Sequence, residues 1–123
     1  TGSGILSIAA VKLGAGKVDA VEFDKECETN FYENLELNQI TEDIQYHQKD
    51  VLHWNRFNHD LTLANINRNV IEELIPILQT IKGTILLSGL LETDYDVIKR
   101  LCQQHNLQVK EKMIKGEWVC LTL

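Results

Sequence analysis

Thr1-Gly2-Ser3-Gly4 leads straight into Ile5-Leu6-Ser7-Ile8-Ala9-Ala10-Val11-Lys12-Leu13, and, after Gly14, into Val18-Asp19-Ala20-Val21-Glu22-Phe23. This stretch decides the fold. Ile5, Ile8, Ala9 and Leu13 recur at helical spacing, and Gly14 stands where a C-terminal cap belongs. Val18 to Phe23 is a short apolar run with acids at its end, the pattern of a buried strand. A glycine turn opens the helix and a strand follows it.

The same alternation continues outward. Lys25 to Asn38 carries Cys27, Phe31 and Leu35 on one face and acids elsewhere, an amphipathic helix. Ile44 to Gln48 predicts a strand ending just before Asp50-Val51, and Leu61 to Asn65 predicts another. Val70, Leu74, Leu78 and Ile81 mark a helix that Pro76 should kink or split. Gly83 releases a strand over Thr84 to Ser88. Thr93 then caps a helix carrying Val97, Ile98, Leu101 and Cys102. Leu107 to Ile114 turns at Lys115-Gly116 into Glu117 to Leu123, an antiparallel hairpin in which Trp118 reads as core. Strands separated by helices of this length imply a mostly parallel, doubly wound, Rossmann-like α/β sheet with helices on both faces. No linker or repeat divides residues 1–123, so they read as one domain.

Composition narrows the function. A chain of 123 residues that is 44% hydrophobic can bury a core, which argues against disorder. No apolar run approaches a membrane span, and no signal peptide opens the chain. The formal net charge of −6 argues against nucleic-acid binding, which needs a basic stripe. The charge is uneven: 5 Lys/Arg face 11 Asp/Glu through Asp60, and 7 face 7 after it. An acidic half suits a solvated surface or a basic partner. Cys27, Cys102 and Cys120 are odd in number and far apart, which predicts reduced thiols in the cytoplasm and no metal site.

In a doubly wound sheet the ligand lies beyond the carboxyl ends of the strands. Gly2 and Gly4 let a ligand approach the backbone, and Glu22, about twenty residues later, can accept from both hydroxyls of a ribose. A dinucleotide fingerprint would need glycine at position 7, which is Ser7, and the Gly-Lys-Ser/Thr of a P-loop is absent. A ligand with ribose and adenine but no phosphate fits these residues, and S-adenosyl-L-methionine is such a ligand.

Gly2 to Ala10, Ala20-Val21-Glu22-Phe23-Asp24 and Glu33-Asn34-Leu35-Glu36-Leu37-Asn38 together resemble a class I S-adenosylmethionine-dependent methyltransferase. Asp60-Leu61-Thr62-Leu63-Ala64-Asn65-Ile66, Ser88-Gly89-Leu90-Leu91 and Gly116-Glu117-Trp118 narrow the resemblance to the ribosomal protein L-eleven methyltransferases. It runs through essentially the whole chain. It implies that Thr1, Gly2 and Gly4 run under the methionine part of the cofactor and that Glu22 binds the ribose. Asp50 and Val51 then lie at the adenine, and Phe23 either packs on the adenine face or belongs to the core. Asn65 lies beside the transferred methyl, with Ile66 and Asn67 on the acceptor side. Two departures stand out. Asn67 replaces a usual bulky apolar residue, and Glu22 replaces the commoner Asp.

The resemblance implies a cytoplasmic enzyme that methylates lysine or α-amino nitrogens of a ribosomal protein. A glutamine acceptor typically goes with Asn-Pro-Pro-Tyr, whereas this chain has Asn65-Ile66-Asn67-Arg68. The rivals are a nucleic-acid or small-molecule acceptor, or a silent fragment that only binds a partner. His47, His53, His59 and His105 lack a partner by spacing and read as surface or strand-edge residues. Trp54 and Phe57 either touch substrate or cover the core. Lys110, Lys112 and Lys115 read as an edge-strand device against aggregation. In this family the glycine turn follows a central strand. That strand and an N-terminal recognition domain are expected to be absent from these 123 residues, leaving a gap in the sheet.

Overall fold

A computed structural model describes residues 1–40 and 43–123, which divide into two compact units, Thr1–Trp54 and Asn55–Leu123. In the first unit, α1 (Ile5–Lys12) is followed by β1 (Val18–Glu22), α2 (Cys27–Leu37), β2 (Ile44–Gln48) and a single 3-10 turn, Val51–His53. The strands β1 and β2 pair in parallel, from Val18 opposite Ile44 to Glu22 opposite Gln48. Their core is Ile8 of α1, Ala20 of β1, and Phe31 and Leu35 of α2, closed by Ile40. Phe31 is fully buried, worth roughly 1.5–3 kcal/mol by transfer from water. Gly4 caps α1 in the left-handed region at φ 85°, and a side-chain carbon there would lie 2.8 Å from Phe31 Cδ2. The glycine therefore serves both the turn and the packing of α2 beside it.

The second unit runs β3 (Leu61–Asn65), α3 (Arg68–Leu78), β4 (Thr84–Leu91), a 3-10 turn Glu92–Asp94, α4 (Tyr95–Gln104), β5 (Glu111–Lys115) and β6 (Trp118–Thr122). Its sheet has the order β3-β4-β6-β5. β3 and β4 are parallel, and β6 is antiparallel to both of its neighbours. Ile71, Leu74, Ile75 and Leu78 of α3 are buried, as are Ile85, Leu87 and Leu90 of β4, Ile98 and Cys102 of α4, and Val119 and Leu121 of β6. The α/β architecture, with parallel pairs and a C-terminal antiparallel hairpin, follows the expectation.

Several local expectations change. Pro76 lies inside α3 without splitting it. The helix ends two residues later, and burial of Leu74, Ile75 and Leu78 offsets the one lost backbone bond. Thr93 does not cap α4. The chain first makes the turn Glu92–Asp94, and Asp94 Oδ2 accepts from the Leu91 amide at 2.9 Å. Trp118 is 53% exposed instead of core, because the buried alternation of β6 falls on Val119 and Leu121. The strand expected to end at Ser88 continues to Leu91.

Candidate active site

The glycine turn and the end of β1 meet at one carboxylate. Glu22 Oε2 accepts from the Gly2 amide at 2.6 Å and from the Thr1 nitrogen at 3.0 Å, while Oε1 accepts from the Asp24 amide at 2.8 Å. Gly2 has φ 54°, and the space beside its α-carbon is open to 4 Å. Burial works to raise the Glu22 pKa. Hydrogen bonds from the Gly2 and Asp24 amides and the Thr1 nitrogen outweigh it and hold the carboxyl at about 2, below its ordinary 4.5. Because the folded value is the lower one, this carboxylate stabilises the fold fully above pH 4.5 and loses that contribution as pH falls through about 2. Urea midpoints of the 123-residue chain are expected to drop across that window, and to drop less in Glu22→Gln.

The loop after β2 follows beside it. The Lys49 amide donates to the Glu22 carbonyl at 2.8 Å, which continues the strand pairing by one step. Asp50 caps the turn Val51–His53, with Oδ1 accepting from the Leu52 amide at 2.9 Å and Oδ2 lying 3.6 Å from His53 Nδ1. One oxygen of Asp50 is thus committed to the backbone, while the other faces a largely exposed imidazole. Phe23 is 73% exposed, which excludes its core alternative. Trp54 is buried, its ring centroid 4.6 Å from that of His47. His47 does have a partner: its Nε2 lies 2.5 Å from Asp19 Oδ1 on the neighbouring strand. A cross-strand pair 28 residues apart leaves no trace in local spacing.

In the second unit, Asn65 closes β3 and is exposed. Its carboxamide makes no hydrogen bond among the described residues. The Ile66 amide donates to the Ser88 carbonyl at 3.3 Å, so the chain leaves β3 still attached to β4. Arg68, in the first turn of α3, bonds Glu72 Oε1 at 2.5 Å and Asp94 Oδ1 at 3.2 Å, which ties α3 to the turn after β4. The sequence carried no signal for this tie. No group of His, Cys, Asp and Glu able to hold a metal occurs among the described residues.

Each compact unit thus carries candidate residues at a strand end, the glycine turn and Glu22 at β1 in the first and Asn65 at β3 in the second. The family described as "Ribosomal protein L11 methyltransferase (PrmA)" matches residues 1–123. The chain belongs to this family. The ribosomal protein L11 methyltransferase of Desulfitobacterium hafniense is 40% identical over 124 residues, covering 98% of this chain and 39% of the relative. That of Lactobacillus johnsonii is 36% identical over 126 residues, covering 100% of this chain and 40% of the relative. The chain thus spans about two-fifths of the length of these curated relatives. A crystal structure of the ribosomal protein L11 methylase from Lactobacillus delbrueckii subsp. bulgaricus matches with a TM-score of 0.91 and 34% identity, over 98% of this chain and 63% of that one. An RNA methyltransferase from Salinibacter ruber, solved with S-adenosyl-L-homocysteine, matches at 0.76 and 11% identity, over 98% of this chain and 73% of that one, a likeness of fold alone. The fold is that of the class I methyltransferases.

Two residues after Asn65, Asn67 has a local role in the fold. Asn67 sits at the N-cap of α3 with extended backbone, and its Oδ1 accepts from the Val70 amide at 3.1 Å. An apolar residue cannot satisfy that orphan donor. Asn67→Ala is expected to lower stability by about 1 kcal/mol in chemical denaturation, and Asn67→Asp to lower it far less.

Proposed function

We propose that the protein transfers methyl groups from S-adenosyl-L-methionine to lysine and α-amino nitrogens of ribosomal protein L11, in the cytoplasm. The observation that carries this reading is the Asn65 carboxamide, exposed at the carboxyl end of a parallel strand and without a hydrogen bond among the described residues. An acceptor amine can use that amide.

The chain's residues suit such a cofactor. Open space beside Gly2 lets a ligand lie against the backbone of Thr1 and Gly2, while Gly4 shapes the turn from below, its bare face packed on Phe31. Glu22, kept ionised and aimed by the turn, has one lone pair left, on Oε1, to offer a ribose hydroxyl. Asp50 Oδ2 can accept from an exocyclic amine, while Val51 and the exposed Phe23 ring supply apolar cover. When bound, S-adenosyl-L-methionine supplies a methyl group activated by its sulfonium. The protein's part is to hold the acceptor in line and exclude water. A lysine amine with an ordinary pKa of about 10.4 must attack in its neutral form. Asn65 Oδ1 can accept one of its N–H groups, with Ile66 and Asn67 flanking the approach. L11 would reach the site as a basic protein, and the acidic half of the chain favours its encounter.

The test is label transfer from radioactive S-adenosyl-L-methionine by the full-length protein, offered purified L11, other ribosomal proteins and ribosomal RNA. Label on L11 lysine and α-amino nitrogens is the expected outcome. Label on glutamine, on RNA or on another protein would assign a different acceptor, and no label with bound cofactor would leave a binding role.

A further inference from the structure

The strand β4 is irregular beside the end of β3. Its pairing with β6 passes from Leu87 opposite Leu121 to Leu90 opposite Val119, so Ser88 and Gly89 together stand against one residue. Gly89 has φ 81°, in the left-handed region. A side-chain carbon there would lie 2.5 Å from the Ile66 carbonyl oxygen, 2.8 Å from Asn65 Oδ1 and 3.1 Å from the Ile66 amide. The bare α-carbon of the bulge is therefore the surface on which the Asn65 carboxamide rests.

Nothing else among the described residues orients that carboxamide by hydrogen bonding. An exposed asparagine without bonds would ordinarily sample its χ2 freely, because terminal amide torsions are broad. The floor formed by Gly89 and the Ser88–Ile66 bond limits that freedom at no cost in bonding capacity. Oδ1 and Nδ2 both stay available.

We infer that Gly89 is a positioning residue for the acceptor amine: the glycine bulge in β4 seats the Asn65 carboxamide and sets where Oδ1 meets an incoming N–H. This rests on the acceptor role proposed for Asn65. Any side chain at position 89 displaces the amide or the Ile66 carbonyl, whatever its polarity.

The experiment uses the full-length protein in four forms besides wild type: Gly89→Ala, Asn65→Ala, the double variant and Asn65→Gln. Gly89→Ala is expected to lower kcat by at least about tenfold, with the Kd for S-adenosyl-L-methionine within about twofold of wild type. In the Asn65→Ala background the same change should cost under about twofold, because the group it acts through is gone. A loss of kcat that is equally large in both backgrounds overturns the inference. In the free protein, nitrogen-15 NMR should show the Asn65 side-chain amide signal shifted by Gly89→Ala, and an unshifted signal also overturns it. If circular dichroism shows Gly89→Ala unfolded, Asn65→Gln decides. This exposed change lifts the amide off its seat by one methylene and should fall to the Asn65→Ala level, whereas near-wild-type kcat removes the seat from the mechanism. Unchanged kcat in Asn65→Ala sinks the acceptor role itself, a result distinct from the others.

Discussion

Asn65→Ala in the full-length protein is expected to lower kcat for methylation of L11 by about 100-fold, with little change in the Kd for S-adenosyl-L-methionine. The asymmetry follows from what the side chain does. It contributes nothing to the folded chain by hydrogen bonding, so its removal should leave stability within about 0.5 kcal/mol. The groups that suit the nucleoside belong to the other compact unit. What is lost is the orientation of a neutral amine for in-line attack, an effect confined to the approach to the transition state. Single-turnover rates beside calorimetric affinities make the separation. A parallel loss of affinity would move Asn65 from the acceptor to the cofactor.

Glu22→Gln is expected to do the reverse. Its carboxylate accepts three N–H bonds at 2.6–3.0 Å, two of them from backbone amides. Bonds to a charged acceptor are each worth roughly 1.5–3 kcal/mol. A glutamine can match one side of this arrangement only, since its NH2 group must face a donor on the other. Loss of about 2–4 kcal/mol of stability follows, a large share of what a small domain has. The Kd for S-adenosyl-L-methionine should rise by about tenfold or more, because the ribose acceptor and the glycine turn are disturbed together. Thermal unfolding and calorimetry on one preparation read both effects. A variant of unchanged stability that still binds tightly would show that the carboxylate's charge is dispensable.

Periodicity located the elements well where one face is apolar and the partner is near in sequence. The ranges Ile44–Gln48 and Leu61–Asn65 agree residue for residue. The glycine turn and Glu22 were legible as a pair because their order and separation carry the chemistry. Three features were not legible, and each depends on contacts distant in sequence. His47 finds Asp19 across a strand pair, Arg68 finds Asp94 across α3 and β4, and Asn65 finds Gly89 across β3 and β4. Trp118 was misread because a lone aromatic does not reveal the phase of its strand. The cap bond of Asn67 to Val70 gives the polar side chain there a structural role that its place two residues after Asn65 did not reveal.

The place of β6 in the sheet has a consequence for biosynthesis. The last strand in sequence lies between β4 and β5, and Leu123 exchanges both backbone bonds with Ile85. Val119, Leu121 and Leu123 also complete the apolar interior of their unit. While the chain is being made, β4 waits with an open edge and β5 has no neighbour until residue 123 has left the ribosome. A product stalled before Trp118 would present the open edge of β4 and an unpaired β5, a template for association between nascent copies. Lysines along β5 are well placed to discourage that association during the wait.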